Sequence, residues 1–385
     1  MKKVVLIYSI TLLLGGCTWF TNYFSGDDNI EPPEKLVELT NTIRLDKIWS
    51  VSTGSGSGER LLRLTPALSA NHVYVSSRDG HLASYDINTG NRIWEVDTKK
   101  KISAGPGVGF GLVLLGTRDG RLLAYQSADG KPLWSVKLTS EVLSVPEIKG
   151  DTIIVRTGDG RLTALSAKDG KKIWDFKKRE PALTLRGTSK PLIVDDMVLS
   201  GFDNGQLVSL SLKEGRQIWR RKVAIPRGRT ELERIVDLDA DPVIDDKGVI
   251  YVAAFQGNVA AINLADGRLI WRRELSSYAG LTVGGDHLFV TDDRSQLWSL
   301  HTKNGASLWR QDKLQRRSLT APVVFGKYVV VGDFEGYLHW LDQSDGRIVA
   351  RMRGDSNGFS VSPVTNGKIL ISLGKGGELS AFQLK

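Results

Sequence analysis

A tryptophan recurs fourteen residues after a hairpin glycine along most of this chain, and that spacing leaves few folds open. The hairpin positions are Gly80, Gly120, Gly160, Gly205, Gly257, Ser295, Gly336 and Gly377. Fourteen residues beyond the first seven stand Trp94, Trp134, Trp174, Trp219, Trp271, Trp309 and Ala350. The eighth hairpin has only eight residues after it. Its missing last strand stands at the other end of the chain, as Leu45-Asp46-Lys47-Ile48-Trp49. A fixed period of this kind marks a repeat architecture and overrides the two or three domains that length alone suggests. Each unit reads as short alternating strands, such as Val73-Tyr74-Val75 and Leu122-Leu123-Ala124-Tyr125, joined by Asp-Gly turns whose glycine adopts positive φ.

A four-stranded unit repeating at about 40–45 residues is a propeller blade. The expectation is an all-β, eight-bladed β-propeller of four-stranded blades, its ring closed by the N-terminal strand completing the last blade. Closure of that kind removes the free sheet edge that would invite aggregation. Trp49 and the six recurrent tryptophans are expected to act as structural wedges docking one blade on the next. The sixth unit is the most degenerate, with Ser295 for the glycine and Thr282 for the proline that opens most units. An α/β fold is excluded because no segment beyond the N-terminal one keeps a helical period for ten residues.

The N-terminus sets the compartment. Lys2 and Lys3 precede an apolar run from Val4 to Leu14, too short for the roughly 20 residues of a membrane-spanning helix and of signal-peptide length. It ends at Leu14-Gly15-Gly16-Cys17, a pattern that resembles a bacterial lipobox, in which the cysteine is acylated. Cys17 is the sole cysteine, so an internal disulfide is impossible; a free thiol beside an ordinary signal peptide is the alternative to lipidation. Residue 18 is Thr rather than the Asp that resembles an inner-membrane retention signal, which favours the outer membrane. We therefore expect a signal peptide over 1–16, a lipidated tether over 17–40 and the propeller over 41–385. The formal charge of +9 falls to +7 once Lys2 and Lys3 are removed. Export and the scattering of Lys and Arg through the turns argue against nucleic acid as a partner.

Length varies almost only in the connector between each tryptophan and the next blade's proline. It spans 12 residues from Trp94 to Pro106, 17 from Trp174 to Pro191 and 23 from Trp219 to Pro242. All these insertions share one connection type and so project from one face of the ring, as binding loops of repeat proteins do. Two of them, 175–190 and 220–241, sit on adjacent blades and place apolar residues beside charge. Leu183, Leu185 and Arg186 belong to one, and Arg234, Ile235, Val236, Asp237 and Asp239 to the other. Two readings stand open: an apolar patch rimmed by charge that meets a partner, or loops whose Leu183, Leu185 and Val236 fold back to roof the propeller.

The chain carries no recognisable catalytic motif. Asp237-Leu238-Asp239-Ala240-Asp241 has the opening of a calcium loop, but Pro242 stands at the required glycine and no Glu follows at the twelfth place. The five histidines show no metal-ligand spacing, and neither a nucleophile elbow nor a phosphate-binding loop is present. No catalytic residue, metal or cofactor is expected.

The element Asp86-Ile87-Asn88-Thr89-Gly90-Asn91-Arg92-Ile93-Trp94, repeated as Asp266-Gly267-Arg268-Leu269-Ile270-Trp271, resembles the tryptophan-docking repeat of quinoprotein propellers. With the lipobox, the length and eight units, the whole mature chain is similar to the BamB family, propeller lipoproteins of the β-barrel assembly machinery. Leu183-Thr184-Leu185-Arg186-Gly187, Asp237-Leu238-Asp239 and the stretch from Gly332 to Trp340 are further matching segments. The resemblance implies a non-catalytic scaffold at the periplasmic face of the outer membrane, lipid-anchored through Cys17. It implies that the two loops bind the POTRA domains of the barrel-assembly channel, with Leu183, Leu185, Arg186, Asp237 and Asp239 as contact candidates. The aspartates either meet basic groups of the channel or hold the loop in shape. Other lipoproteins of the machinery and unfolded outer-membrane strands are further expected partners. The quinoprotein enzymes of the superfamily bind a quinone with calcium, and their alcohol dehydrogenases carry adjacent cysteines, which this chain lacks. An envelope dehydrogenase and a propeller that binds another envelope component are the alternative functions.

Overall fold

The computed structural model describes residues 31–58, 62–178, 189–225, 230 and 235–385. Among them every regular element is a β-strand, arranged as eight sheets of four strands each. Blade 1 is Ala67–Ser69, His72–Ser76, His81–Asp86 and Arg92–Asp97, hydrogen-bonded in chain order. Blades 2 to 7 follow the same plan over 102–137, 147–177, 192–222, 243–274, 280–311 and 323–353. Blade 8 takes Val364–Thr365, Ile369–Leu373 and Glu378–Leu384 from the C-terminus and borrows Leu45–Ser52 as its outer strand. The two chain ends thus lie antiparallel in one sheet, with Leu45 opposite Leu384 and Ser52 opposite Glu378, closing the ring as expected.

The burial pattern shows which strand lies where. Second and third strands are buried on both faces, as in Leu112–Thr117, because each blade is sandwiched between two neighbours. Fourth strands are exposed at alternate residues and form the outer rim, as in Pro132–Lys137. First strands meet one another around the axis, and that of blade 8 meets that of blade 1.

The tryptophans explain how blades dock. Each sits in a fourth strand and donates its indole N–H to a backbone carbonyl of the next blade. Trp49 bonds to Ile87 at 2.9 Å, Trp134 to Ala167 at 3.1 Å and Trp219 to Leu264 at 2.9 Å, and the other four do likewise. The ring lies on the glycine of the turn between that blade's third and fourth strands: Trp49 on Gly90, Trp174 on Gly215, Trp309 on Gly346. A Cβ at Gly215 would stand 2.5 Å from the indole of Trp174, and the residue has φ of +68°, so both space and backbone require glycine. Ala350 occupies the eighth such position for a geometric reason. Blade 8 has no turn between its third and fourth strands, because the chain ends meet there, so an indole from blade 7 would have no glycine or carbonyl to dock on. Trp340 and Phe382 fill this interface instead, edge to face with centroids 5.7 Å apart.

The compact unit that holds the blades takes in residues from Glu34 onward. Arg317 bonds the Glu34 carbonyl at 3.0 Å, Arg351 bonds that of Val37 at 3.0 Å, and Leu36 packs onto the apolar cluster around Phe289 and Leu319. Residues 34–44 therefore belong to the propeller, held along blade 7 by arginines that its own connector and rim supply.

These contacts separate two kinds of glycine. Gly150, with φ of +57° and no atom within 4 Å of an added Cβ, loses only backbone ease, about 1 kcal/mol for Ala. Gly215→Ala also forces Trp174 off its seat and should cost about 3 kcal/mol or more. Urea unfolding of the two variants should show this order, with the midpoint of Gly215→Ala well below that of Gly150→Ala.

Candidate partner-binding face

Turns between second and third strands and the connectors between blades share one face of the ring, opposite the turns that receive the tryptophans. Leu183, Leu185 and Arg186, expected to contact a partner there, lie outside the described residues, as do Cys17 and Arg234. From Ile235 to Asp241 the longest connector is laid into the ring rather than held out from it. Val236 and Leu238 are fully buried and join the core cluster of Leu199, Leu207 and Ile250. Val236 makes a parallel bridge with Asn204, and the Phe255 amide donates to the Asp237 carbonyl at 2.9 Å. Gly201 is required beneath it, since a Cβ there would stand 2.7 Å from Leu238. Of the two readings open for Val236, the structure takes the roofing one.

Asp237 and Asp239 are 0% and 4% exposed, an environment that suits the second of the two roles open for them, holding the connector in shape. Around Asp239 stands a charge network that no local pattern announced. Arg156, buried in the second strand of blade 3, bonds Asp203 of blade 4 at 2.7 Å, the Gly201 carbonyl and Ser189, and stacks 4.9 Å over Phe202. Arg63, in the connector entering blade 1, donates to the Asp239 carbonyl at 2.7 Å and faces Asp241 at 3.6 Å. Blade 1 and the connector into blade 5 lie on opposite sides of an eight-membered ring, so this contact spans the axis at this face. Lys190, whose amide donates to Asp241 at 2.7 Å, ties in the preceding connector.

The electrostatics follow from burial. Burial pushes the Asp239 carboxyl up to about 7; the nearby Asp203 charge adds to this, and Arg63 and Arg156 oppose it without prevailing. Asp203 is also raised, because its burial outweighs the Arg156 charge and hydrogen bond. A second buried network sits in blade 7. Asp333 bonds His339 at 3.0 Å and Arg317 at 2.9 Å. Burial works to raise Asp333, but the bonds from His339 and Tyr337 and the Arg317 charge hold it below the usual carboxylate range. Burial keeps His339 low and so favours its neutral form.

Sequence reading missed Arg156, though a signal existed. Four residues before six of the eight hairpin positions stand the small residues Ser76, Gly116, Gly201, Ala253, Thr291 and Gly332; Leu373 and Arg156 depart from them, and Arg156 alone is charged. Exposed apolar side chains on this face were also missed: Ile225 at 49%, and Tyr278 at 42% packed edge-on to Phe255 at 6.1 Å. Each lies in or beside a connector or turn of the same face. Among the described residues no group of three or more His, Cys, Asp or Glu is placed to hold a metal ion.

The Asp239 environment has a measurable consequence. Its folded carboxyl titrates well above the unfolded value of 3.8, so between about pH 4 and pH 7 the folded chain holds a proton the unfolded chain has released. Stability therefore falls as pH rises through that window. Asp239→Asn removes the charge, and should gain about 1–3 kcal/mol over the parent at pH 8 and little at about pH 4 in denaturant titrations.

Comparison with known proteins gives one consistent answer. A family model described as outer membrane protein assembly factor BamB matches residues 78–311 and 299–385. The outer membrane protein assembly factor BamB of Pseudomonas aeruginosa is 45% identical over 383 residues, covering 100% of this chain and 99% of that protein. That of Escherichia coli K12 is 34% identical over 384 residues, covering 96% of each. The crystal structure of BamB from Moraxella catarrhalis superposes with a TM-score of 0.81 at 27% identity, covering 89% of this chain and 100% of that one. Quinohemoprotein alcohol dehydrogenase from Comamonas testosteroni matches with a TM-score of 0.68 at 13% identity, a likeness of fold alone.

Proposed function

The chain belongs to the BamB family of outer membrane protein assembly factors, and on that premise we propose that it is a non-catalytic scaffold for the assembly of outer-membrane proteins, presented to the periplasm by acyl chains on Cys17. The observation that carries this reading is identity to assembly factors over the whole chain rather than over a shared blade repeat. The dehydrogenase alternative has only a likeness of fold in its favour.

The face built by the connectors binds the periplasmic POTRA domains of the barrel-assembly channel. Leu183, Leu185 and Arg186 are its proposed anchors, and Ile225 and Tyr278 extend the same face with exposed apolar surface. Such a patch rimmed by arginine is what a modest interface needs, since a few aromatic, aliphatic and Arg side chains carry most of the energy. Asp239, whose carbonyl accepts from Arg63 and whose carboxyl lies near Arg63 and Arg156, and the buried Asp237 hold the connector in shape and so present the face rather than touch the partner. Other lipoproteins of the machinery and unfolded outer-membrane strands complete the set of partners.

Two tests address the two halves of this reading. A chain without signal peptide and Cys17 should capture the channel's periplasmic domain in a pull-down. Arg186→Glu and the Leu183→Ala/Leu185→Ala double variant should each lose at least tenfold in affinity with melting unchanged; retention by both would remove these residues as anchors. Separately, Cys17→Ser should leave the protein unlabelled by radioactive palmitate and shift it from the membrane pellet to the soluble periplasm. A labelled Cys17→Ser protein would overturn the anchor.

A further inference from the structure

One rim position recurs eight times in the same backbone setting. In each outer strand the ladder slips by one residue just before the docking position, and the bulge turns an aliphatic side chain outward. In seven blades that side chain is 36–49% exposed, whereas Val349 of blade 7 is 6% exposed. The N-terminal segment covers it, and the Thr42 amide donates to the Val349 carbonyl at 2.8 Å. Two residues further on stands a second rim side chain. In blades 8, 1, 2 and 3 it is Ser50, Glu95, Ser135 and Asp175. In blades 4, 5, 6 and 7 it is arginine every time: Arg220, Arg272, Arg310 and Arg351.

The backbone does not require arginine at this position, since half of the blades do without it. The two sets are also contiguous, so the ring divides into two arcs of four blades. Across whole outer strands the arc of blades 4–7 carries eight Lys or Arg and one Glu. The other arc carries five Lys or Arg and four Asp or Glu. Basic residues that look scattered along the chain are thus collected on one side of the rim when the ring closes.

Pairing sharpens the contrast. On the mixed arc Glu95 bonds Arg92, and Asp175 bonds Lys172 at 3.0 Å, so these charges neutralise one another. On the basic arc the exposed Arg220, Lys222 and Arg272 form no ion pair among the described residues. Arg310 lies 3.5 Å from Asp312, both of them about half exposed. Beside these cations stand the outward aliphatic side chains of Ile218, Ile270 and Leu308. The route of the chain points to the same arc. Residues 34–44 run along blade 7 from the connector face, where Arg316 and Arg317 hold Glu34, to Thr42 at Val349. The segment that leads back to Cys17 therefore leaves the ring from within the basic arc.

We propose that the rim of blades 4–6 is a membrane-facing surface on which Arg220, Arg272 and Arg310 bind anionic phospholipid headgroups, with the propeller standing edge-on to the bilayer. Arginine suits this role because its guanidinium meets a phosphate through two parallel hydrogen bonds, and its stem lies along neighbouring apolar surface. The outward Ile218, Ile270 and Leu308 fit a bilayer better than a soluble polyanion, since apolar side chains enter the boundary between headgroups and acyl chains. Where acyl chains on Cys17 hold the protein at the surface, the rim sets its orientation. Edge-on, neither flat face of the ring is turned to the bilayer, and the connector face stays open to a protein partner. The inference goes beyond the assembly role and does not require the Cys17 anchor.

The probe is a vesicle of mixed phosphatidylcholine and phosphatidylglycerol, pelleted with the mature chain carrying Cys17→Ser, beside vesicles of phosphatidylcholine alone. The parent should bind the anionic vesicles and not the neutral ones, and raising the salt to about 0.5 M should release it. Each Lys or Arg near an anionic surface is worth about fivefold in partitioning, so Arg220→Ser/Arg272→Ser/Arg310→Ser should weaken binding at least tenfold. Lys47→Ser/Lys137→Ser/Lys177→Ser removes the same charge from the other arc and should leave binding within about threefold. Serine is native at the rim as Ser50 and Ser135, and both triple variants should melt as the parent does. A parent that stays in the supernatant, equal binding to neutral vesicles, or equal loss by the two triple variants would each overturn the proposal. The chain tested carries no acyl group, so failure here leaves the Cys17 anchor standing, and failure of the anchor leaves this result standing.

Discussion

The clamp between an indole and the next blade's turn is the contact on which the other features rest. A blade alone is a small four-stranded sheet with two apolar faces and cannot bury either. Stacking blades solves that, but generic apolar faces slide, and the hydrogen bond from each indole N–H to one carbonyl sets a single rotation between neighbours. Seven such clamps are present, and each ring sits where a turn glycine leaves no room for a Cβ. Truncating a buried tryptophan costs about 3–5 kcal/mol. The clamps are thus large beside the marginal stability of a domain, and their regular repetition is what lets the ring return to its start.

Closure then has a different chemistry from propagation. Where the chain ends meet, no turn exists to receive an indole, and the interface is filled by Trp340 against Phe382 with residues 34–44 laid outside it. The same N-terminal segment covers the one rim position that the other blades leave open, through Thr42 and Asn41. A single stretch thereby closes the ring and occupies the rim of blade 7.

The connector face is held by charge rather than by apolar contact alone. A buried Arg156 without Asp203 would be a costly unpaired ion, and a buried Asp239 facing Asp203 is already pushed toward its neutral form. Arg63 reaches across the axis to fasten the connector from the far side. The loops proposed to meet a partner therefore start from a preset platform, which lowers the ordering cost of binding.

How much was legible in the sequence depended on whether the relevant partners were near in the chain. Blade number, strand order, closure by residues 45–49, the docking tryptophans and the face that carries the long connectors all follow from intervals repeated along the chain. Each is written several times, so one degenerate unit such as that around Ser295 does not hide it. What the tertiary structure decided was the surroundings of single residues. Asp237 and Asp239 look like solvated loop acids, and Glu34 to Val37 like tether. They are buried or paired because Arg63, 176 positions from Asp239, and Arg351, 314 positions from Val37, arrive from other blades. Interval and alternation record which face of a strand is apolar; they do not record which blade lies across the ring. That distance comes into being only when the ring closes, and burial, charge pairing and titration of these residues are set by it.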